Sequence, residues 1–348
     1  MPALAVADAL RDSGAEVSFL GTRDRLEADL VPAAGYELDF LRLRGLDRGA
    51  PLKAAWAAAL AGAAVPAAWR ALRRRGADAV MGGGGYVAGP AGVAALSART
   101  PLVLTEADRH LGLANRLLAR GARRVCLAFP IDGREGERYL VTGRPVASAI
   151  GAASREEARA RFGIGADRRC LLVFGGSQGA RSINLCALDT FLPDGPAAER
   201  DYHVIQITGR RDYPLARERL DGAGRPEGFT LLEYEPDLAE TLAASDLVLA
   251  RAGGSVFEVA AASRPAILVP YPHAAARHQH SNAAWMAEAG AALVVEDSEL
   301  EPRALAATVE GLFADPVRLD RMASAARDLA RPDAARRIAD EILLAARA

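Results

Sequence analysis

Glycine-rich turns follow several apolar segments of this chain, and polar side chains stand beside them. The apolar residues 170–174 run into residues 175–181, which read GGSQGAR. A strand that passes through such a turn into a helix presents free backbone N–H groups at the helix N-terminus, which suits a phosphate group. Ser177 and Gln178 would add side-chain donors. The alternative is a tight turn in which glycine serves backbone geometry alone, and the turn matches neither the Rossmann fingerprint nor the P-loop.

Two further loops of this kind lie downstream. The apolar segment 246–250 leads into residues 251–258 (RAGGSVFE), in which Glu258 falls in the first turn of the next predicted helix. A carboxylate there can accept hydrogen bonds from both hydroxyls of a ribose, or it can merely complement the helix dipole. After the apolar segment 266–269, residues 277–282 (RHQHSN) offer amides that suit sugar hydroxyls, or form a solvated polar loop. Three such loops at strand ends predict a nucleotide-sugar crevice.

The first half of the chain has its own candidate residues. Four glycines, 82–85, precede Tyr86 and follow the apolar segment 79–81. Ordering glycine costs entropy, so close approach of the backbone to an anion such as a diphosphate is the functional interpretation. Glu106 and Asp108 follow the next apolar segment. Either could act as a general base or cap the helix that follows.

A long alanine-rich segment, 53–75, carries tryptophans and ends in arginines. An apolar surface with an arginine rim is what an interfacial membrane contact requires, and a helix with a solvated basic end is the alternative. Its uncharged part, 54–69, is shorter than the roughly 20 apolar residues of a spanning helix, so no transmembrane segment is expected. The predicted membrane contacts are Trp56, Trp69, Arg73 and Arg74.

Parallel sheets must position these loops. Apolar strands alternate with helices through both halves, which predicts the α/β fold class with helices on both faces of each sheet. The chain is long enough for two domains, and the turn-rich segment 141–146 divides it. We expect domains at 1–146 and 147–330, and a C-terminal helix, 331–348, that packs back on the first domain. The predicted strands are 16–20, 79–81, 101–104, 125–128, 170–174, 203–207, 246–250 and 266–269.

Composition excludes several classes of function. The 348 residues include 43 basic and 44 acidic side chains, so the basic excess of a nucleic-acid-binding protein is absent. Lys53 is the only lysine, which leaves almost no candidate for Schiff-base chemistry. The three cysteines are widely spaced and the histidines match no metal-ligand spacing. We expect a reduced, cytosolic protein that uses no metal.

The chain resembles the MurG family of bacterial glycosyltransferases, in glycosyltransferase family 28, over nearly its whole length. The motifs that carry the resemblance are LGT at 20–22 with EADLVP at 27–32, GGYVAGP at 84–90, GGSQGAR at 175–181, and HQ with NA at 278–279 and 282–283. The resemblance implies a GT-B fold, two Rossmann-like domains whose parallel sheets face a cleft. It implies inverting transfer of GlcNAc from UDP-GlcNAc to the 4-hydroxyl of MurNAc in lipid I, which gives lipid II for peptidoglycan synthesis.

The resemblance also implies catalysis without a cofactor, and a peripheral position on the anionic cytoplasmic face of the cell membrane. By position, Ser177 would meet the donor diphosphate, Glu258 the ribose and Gln279 the GlcNAc, while Glu235 would offer backbone atoms to uracil. The implied UDP-GlcNAc-binding residues are Asp108, Ser177, Gln178, Glu235, Gly253, Gly254, Ser255, Glu258 and Gln279. The implied acceptor-diphosphate residues are Gly83, Gly84, Gly85 and Tyr86.

The chain departs from the family at two places that bear on chemistry. The family's first strand and glycine-rich loop, with the histidine often proposed as general base, would stand before Pro2, where this chain opens with a predicted helix, 2–13. The family motif His-Glu-Gln-Asn reads Thr-Glu-Ala-Asp at 105–108, so Glu106 and Asp108 are the candidate bases. Two alternatives stay open: a catalytically impaired protein that binds UDP-GlcNAc, and a related GT-B enzyme, either a glycolipid glycosyltransferase or a UDP-GlcNAc epimerase.

Overall fold

The structure, a computed structural model, describes residues 2–25, 27–43, 51–176, 179–235, 238–274 and 278–347, and for residues 51–59 it describes the backbone alone. The chain divides into two compact units. One comprises Met1–Val146 with Arg331–Ala348, and the other comprises Ala147–Ala330.

Helices and strands alternate along both units. In chain order the elements are α1 (Pro2–Asp12), β1 (Ser18–Gly21), α2 (Glu27–Ala33), β2 (Glu37–Phe40), α3 (Pro51–Arg75), β3 (Val80–Gly82), α4 (Gly85–Ala98), β4 (Leu102–Glu106), α5 (Leu113–Leu118), β5 (Arg124–Leu127), β6 (Tyr139–Val141), α6 (Arg155–Arg161), β7 (Cys170–Phe174), α7 (Arg181–Phe191), β8 (His203–Ile207), α8 (Tyr213–Gly222), β9 (Phe229–Leu232), α9 (Leu238–Ala244), β10 (Leu247–Arg251), α10 (Val256–Ala261), β11 (Ala266–Val269), α11 (His278–Glu288), β12 (Ala292–Val294), a 3-10 turn (Asp297–Glu299), α12 (Pro302–Phe313), α13 (Pro316–Leu329) and α14 (Ala334–Ala346).

The first unit holds a four-stranded parallel sheet in the order β3-β4-β5-β6 and a parallel pair, β1-β2. Alternate residues of β4 point to opposite faces. Leu102 and Leu104 pack in a cluster with side chains of α3, α4 and α5, whereas Val103 packs with side chains of α1 and α14. An ion pair of 2.6 Å between Arg124 Nε and Glu341 Oε2 also fastens α14 to β5. Helices therefore cover both faces of this sheet.

The second unit holds a six-stranded parallel sheet in the order β12-β11-β10-β7-β8-β9. Counted from β7, this is the order 3-2-1-4-5-6 of a doubly wound sheet. One face packs with α7, α8 and α12 in a single core cluster. The strand order reverses between β7 and β10, and in such sheets the crevice outside the carboxyl ends of those two strands is where ligands bind.

The predicted fold class is confirmed, and the central strands lie where the apolar runs predicted them. The segments 170–174, 203–207 and 266–269 coincide with β7, β8 and β11. Four strands were not predicted, namely β2, β6, β9 and β12, and each lies at the edge of its sheet. An edge strand has a neighbour on one side only and is often short, so its sequence need not be a long apolar run. In the described ranges, no helix combines the length and the apolar composition needed to cross a bilayer.

His203 at the start of β8 is a buried titratable group, with 6% of its surface exposed. Its Nε2 lies 2.8 Å from Oγ1 of Thr230 in β9. Burial is the main reason that the pKa of His203 is lowered to about 4, and the charges of Arg168, Arg200 and Arg159 contribute to the same shift. The folded chain therefore keeps this imidazole neutral at pH values where an unfolded chain, with a histidine pKa near ~6.5, takes up a proton.

We predict that His203 makes the chain less stable in mild acid. Between pH 6.5 and 4 the unfolded state binds the extra proton, so the free energy of unfolding falls as the pH falls, by about 2 kcal/mol from this group at pH 5. In His203→Gln the difference in free energy of unfolding between pH 7.5 and pH 5, measured by urea titration, should shrink by that amount. The exposed His110→Gln is the control, and equal pH dependence in the two variants would contradict the prediction.

Candidate active site

Three loops of the second unit leave the carboxyl ends of neighbouring parallel strands. They follow β7, β10 and β11, which are adjacent in the sheet, so the loops share one edge. These are the three loops that the sequence predicted to converge. Their geometry is fixed by glycine at one loop and by buried polar side chains at the other two.

The loop after β7 requires glycine for close packing. A Cβ atom on Gly175 would lie 2.2 Å from the backbone nitrogen of Ala180, and one on Gly179 would lie 2.1 Å from the carbonyl oxygen of Thr208. Gly179 N–H donates to the carbonyl of Gly176 at 2.9 Å, which closes the turn just before α7 begins. The helix N-terminus that the sequence predicted is therefore present. The predicted ligands Ser177 and Gln178 lie outside the described residues.

Arg251 at the end of β10 connects the exits of the sheet. The residue is 8% exposed, and its Nη1 donates to the carbonyl oxygens of Val269 at 3.2 Å and Pro270 at 3.3 Å, after β11. Its Nη2 donates to Ser182 Oγ at 2.7 Å, in the first turn of α7. Asp297 Oδ1, beyond β12, lies 2.5 Å from Nη1 and accepts from Ser182 Oγ at 2.7 Å. One guanidinium thus links four segments, a role that the sequence analysis missed because its partners are distant in the chain.

The loop after β10 carries four predicted donor-site residues. Gly253, Gly254 and Ser255 are partly exposed, and Glu258 lies in the first turn of α10 with its side chain partly exposed. Asn282, 4% exposed, donates from Nδ2 to the carbonyl oxygen of Ala252 at 3.1 Å and so holds the loop from α11. Glu258 therefore lies on the helix that this loop opens, at the same edge of the sheet as the loops after β7 and β11.

Gln279 is the second residue of α11, and its side-chain orientation is fixed by one bond. Oε1 accepts the backbone N–H of Tyr271 at 2.9 Å. Because the amide oxygen is engaged, the amide NH2 is the group that Gln279 can offer to a ligand. Residues 275–277, which include the polar Arg277 of the predicted cluster, lie outside the described residues.

Glu235 is 8% exposed, and its Oε2 pairs with Arg161 Nη2 at 2.7 Å. This ion pair ties the segment after β9 to α6.

In the first unit, the predicted glycine loop opens α4. Gly84 and Gly85 have φ of +78° and +72°, conformations that favour glycine, and Gly83 and Gly85 are exposed. The Tyr86 hydroxyl lies 3.4 Å from Thr22 Oγ1. Thr22 in turn donates to Glu27 Oε1 at 2.8 Å, so the motif residues near β1 hold the loop in place.

Glu106 is the last residue of β4, and both of its carboxylate oxygens are engaged. Oε1 accepts the backbone N–H groups of Ala107 at 3.0 Å and Asp108 at 3.2 Å, and Oε2 accepts the N–H of Gly112 at 2.8 Å and Nδ2 of Asn115 at 2.9 Å. The carboxylate therefore shapes the loop that follows β4. Of the two candidate bases, Glu106 is thus the one whose carboxylate oxygens are already engaged within the loop.

Asp108 differs from Glu106 in its exposure and in its hydrogen bonding. Its side chain is partly exposed, and within the described ranges no donor reaches its carboxylate.

Asn115, which the sequence analysis did not single out, is 1% exposed and donates from Nδ2 to Thr105 O at 2.9 Å as well as to Glu106. A lone asparagine inside a predicted helix carries too little signal to be recognised in advance.

The predicted membrane residues lie on α3. Trp69 is 37% exposed, and the guanidinium of Arg73 lies 5.2 Å from its ring centroid. Arg74 pairs with Asp39 at 2.7 Å, so its charge is partly neutralised. The side chain of Trp56 lies outside the described residues. Over the described residues, no group of three His, Cys, Asp or Glu side chains could hold a metal ion.

Comparison with known proteins agrees with this architecture. Residues 170–338 match the glycosyltransferase family 28 C-terminal domain, and residues 1–127 match the N-terminal domain of the same family. The solved structure of MurG from Acinetobacter baumannii has a TM-score of 0.75 and 29% identity, and the match covers 99% of this chain and 95% of that one. Two parallel α/β units are the fold of GT-B glycosyltransferases.

Two curated relatives carry the same name, UDP-N-acetylglucosamine–N-acetylmuramyl-(pentapeptide) pyrophosphoryl-undecaprenol N-acetylglucosamine transferase. The one from Moorella thermoacetica is 41% identical, with 98% of this chain and 94% of the relative covered. The one from Alkalilimnicola ehrlichii is 44% identical, with 97% and 93% covered. The chain belongs to the MurG family of glycosyltransferase family 28.

We predict that Glu106→Gln destabilises the first unit. The amide NH2 must face two N–H donors at one of the oxygen positions, and leaving buried donors unpaired should lower the free energy of unfolding by about 2 kcal/mol. Asp108→Asn, two residues away, is the matched control and should leave stability unchanged. Urea unfolding measures both, and a Glu106→Gln variant as stable as the control would contradict the structural role.

Proposed function

We propose that this chain transfers GlcNAc from UDP-GlcNAc to the 4-hydroxyl of MurNAc in undecaprenyl-diphospho-MurNAc-pentapeptide, lipid I, to give lipid II for peptidoglycan synthesis. The observation that carries the proposal is membership of the MurG family along nearly the whole chain, at 41% and 44% identity to named transferases. That relationship favours the transferase over an impaired UDP-GlcNAc-binding protein and over a related GT-B enzyme with another substrate.

The donor would bind at the three loops of the second unit. Its diphosphate would meet the N-terminus of α7, where free N–H groups and the helix dipole favour anions. Glu258 would accept the ribose hydroxyls, the amide NH2 of Gln279 would donate to the sugar, and the backbone at Glu235 would contact uracil. Backbone N–H groups held by Gly175 and Gly179 would stabilise the negative charge of the departing UDP without moving during the reaction.

The acceptor would bind at the first unit, with its diphosphate at Gly83, Gly84, Gly85 and Tyr86. Direct attack of its hydroxyl on the anomeric carbon inverts the configuration, and a general base removes the hydroxyl proton. We assign that role to Asp108, because the Glu106 carboxylate is engaged by four donors. The Asp108→Asn variant should then lose about 100-fold or more in kcat while its fold stays intact.

We also propose that the protein is peripheral on the cytoplasmic face of the membrane. Trp69 and Arg73 are the described residues that support a contact, an exposed aromatic ring beside a guanidinium. An interfacial aromatic side chain with adjacent basic residues is typical of binding to an anionic lipid surface.

We predict metal-independent binding of UDP-GlcNAc at the second unit. Calorimetric titration should give equal affinity with magnesium and without it. Glu258→Ala and Gln279→Ala should each weaken binding about tenfold or more, because each removes a hydrogen bond that a buried sugar or ribose hydroxyl would need. Glu288→Ala, at the exposed end of α11, is the matched control.

Three outcomes of this titration separate the hypotheses. Binding that is lost in both site variants, followed by turnover with lipid I, is the expected result. Binding without turnover would favour the impaired binding protein. The absence of binding by the unaltered chain would overturn the proposed donor site.

We predict that binding to vesicles depends on the end of α3. Arg73→Gln should weaken association with anionic vesicles about fivefold, since a basic residue near such a surface contributes roughly 1 kcal/mol. Arg123→Gln, an equal change in charge on an exposed residue before β5, should weaken it less. Co-sedimentation at fixed ionic strength measures both, and equal losses would place the membrane contact elsewhere.

A further inference from the structure

A buried carboxylate stands beside the glycine loop that follows β7. Asp212, just before α8, is 3% exposed. Its Oδ1 accepts from Arg211 Nε at 3.1 Å and lies 3.5 Å from Arg181 Nη1. Its Oδ2 accepts from Arg211 Nη2 at 3.0 Å and from Asn184 Nδ2 at 3.0 Å. Two guanidinium groups therefore share one carboxylate.

The position of Asp212 in the sequence would predict a different role. It occupies the N-cap of α8, where an aspartate normally accepts the N–H of the second or third helical residue. Its side chain makes no such capping bond here. The carboxylate instead holds the two arginines and Asn184, at the cost of leaving the first turn of α8 without a side-chain cap.

The segment that carries Asp212 supports the glycine loop. The space beside Gly179 is filled by the carbonyl oxygen of Thr208, at 2.1 Å from an added Cβ. Asn184, one turn into α7, donates from Nδ2 to the same carbonyl oxygen at 2.8 Å. Arg181 is the first residue of α7, directly after the loop. Arg181 therefore begins at the helix terminus that suits a phosphate, and the shared carboxylate of Asp212 brings Arg211 beside it.

The cluster keeps a positive charge that is accessible to a ligand. The side chains of Arg181 and Arg211 are 60% and 61% exposed, although their partner is buried. Burial by itself would raise the pKa of Asp212, but hydrogen bonds from Arg211 and Asn184 and the nearby arginine charges outweigh it, so the pKa lies below its usual value. The carboxylate is charged at neutral pH, and two cations on one anion leave a net charge of about +1.

We propose that Asp212 is a positioning residue that holds Arg181 and Arg211 as a two-arginine clamp for the diphosphate of the sugar nucleotide. The inference rests on the proposed function. Arg211 approaches the carboxylate side-on through Nε and Nη2, which fixes the plane of its guanidinium and leaves Nη1 for a ligand. A guanidinium held in place stabilises the extra charge on the departing diphosphate without first having to be ordered.

The test compares binding of UDP with binding of uridine by the full chain. Arg181→Gln and Arg211→Gln should each weaken UDP binding about tenfold and leave uridine binding unchanged, because uridine has no phosphate. Arg210→Gln is the matched control, a neighbouring arginine that is also exposed and lies outside the cluster, and it should change neither affinity.

In Asp212→Asn, the direction of the change in UDP affinity distinguishes a positioning role from an effect of net charge. Removing an anion makes the site more positive, so a site that acts through net charge alone would bind UDP more tightly. A clamp that needs Asp212 for its geometry would bind UDP more weakly, again about tenfold, with uridine binding unchanged as proof that the pocket is folded.

Each other result has a definite meaning. Tighter or unchanged UDP binding in Asp212→Asn would overturn the positioning role. Arginine variants that match Arg210→Gln, or that lose UDP and uridine in equal measure, would overturn the clamp. An unaltered chain that binds neither compound would contradict the donor site itself, which is a failure of the proposed function and not of the clamp.

Discussion

The buried guanidinium of Arg251 is the contact on which the arrangement of the loops after β7, β10 and β11 depends. Moving a cation out of water costs several kcal/mol even after the surroundings relax, and that cost is offset only when its N–H groups find partners. Arg251 finds them on three segments: the exit of β11 at Val269 and Pro270, Ser182 in α7, and Asp297 beyond β12. If any of these segments shifted, a buried donor would lose its acceptor. The cost of burying one charge thus constrains three loop exits at once.

The same reasoning separates two carboxylates that look alike in the sequence. Glu106 and Asp108 are two residues apart at the end of one strand, and both were reasonable candidates for a base. Four donors converge on Glu106, so its lone pairs are used to build the loop in which Asp108 stands. A carboxylate with that many N–H partners is a structural element. Residue type and spacing do not reveal this engagement by neighbours, which is why we propose Asp108 and not Glu106 as the base.

These cases show which features of the fold and of the candidate site the sequence predicts and which it does not. Central strands such as β7 and β11 are buried on both faces, so their continuous apolar runs identify them. Edge strands such as β6 and β12 lack that signal. The glycine loops were recognised because their residue types are demanded locally, by φ or by close approach. The distant partners of Arg251 and Asp212 were not, because contacts between segments far apart in the chain depend on which strands become neighbours, and that is a property of topology.

Two arginine–aspartate clusters lie at this edge of the second unit, and exposure distinguishes their roles. In one, Arg251 and Asp297 are 9% and 24% exposed and their charges cancel, so the pair presents little field to a ligand and serves geometry. In the other, Asp212 is 3% exposed while Arg181 and Arg211 are more than half exposed, so the anion is hidden and the cations are presented. Water screens the charges of the exposed guanidinium groups. A diphosphate that displaces this water would meet N–H donors that Asp212 already orients. Without these arginines, a diphosphate at the proposed site would meet only backbone N–H groups and the helix dipole of α7. The buried Asp212 adds two cations to these groups. Because it already holds both guanidinium groups in place, the ligand does not have to order them.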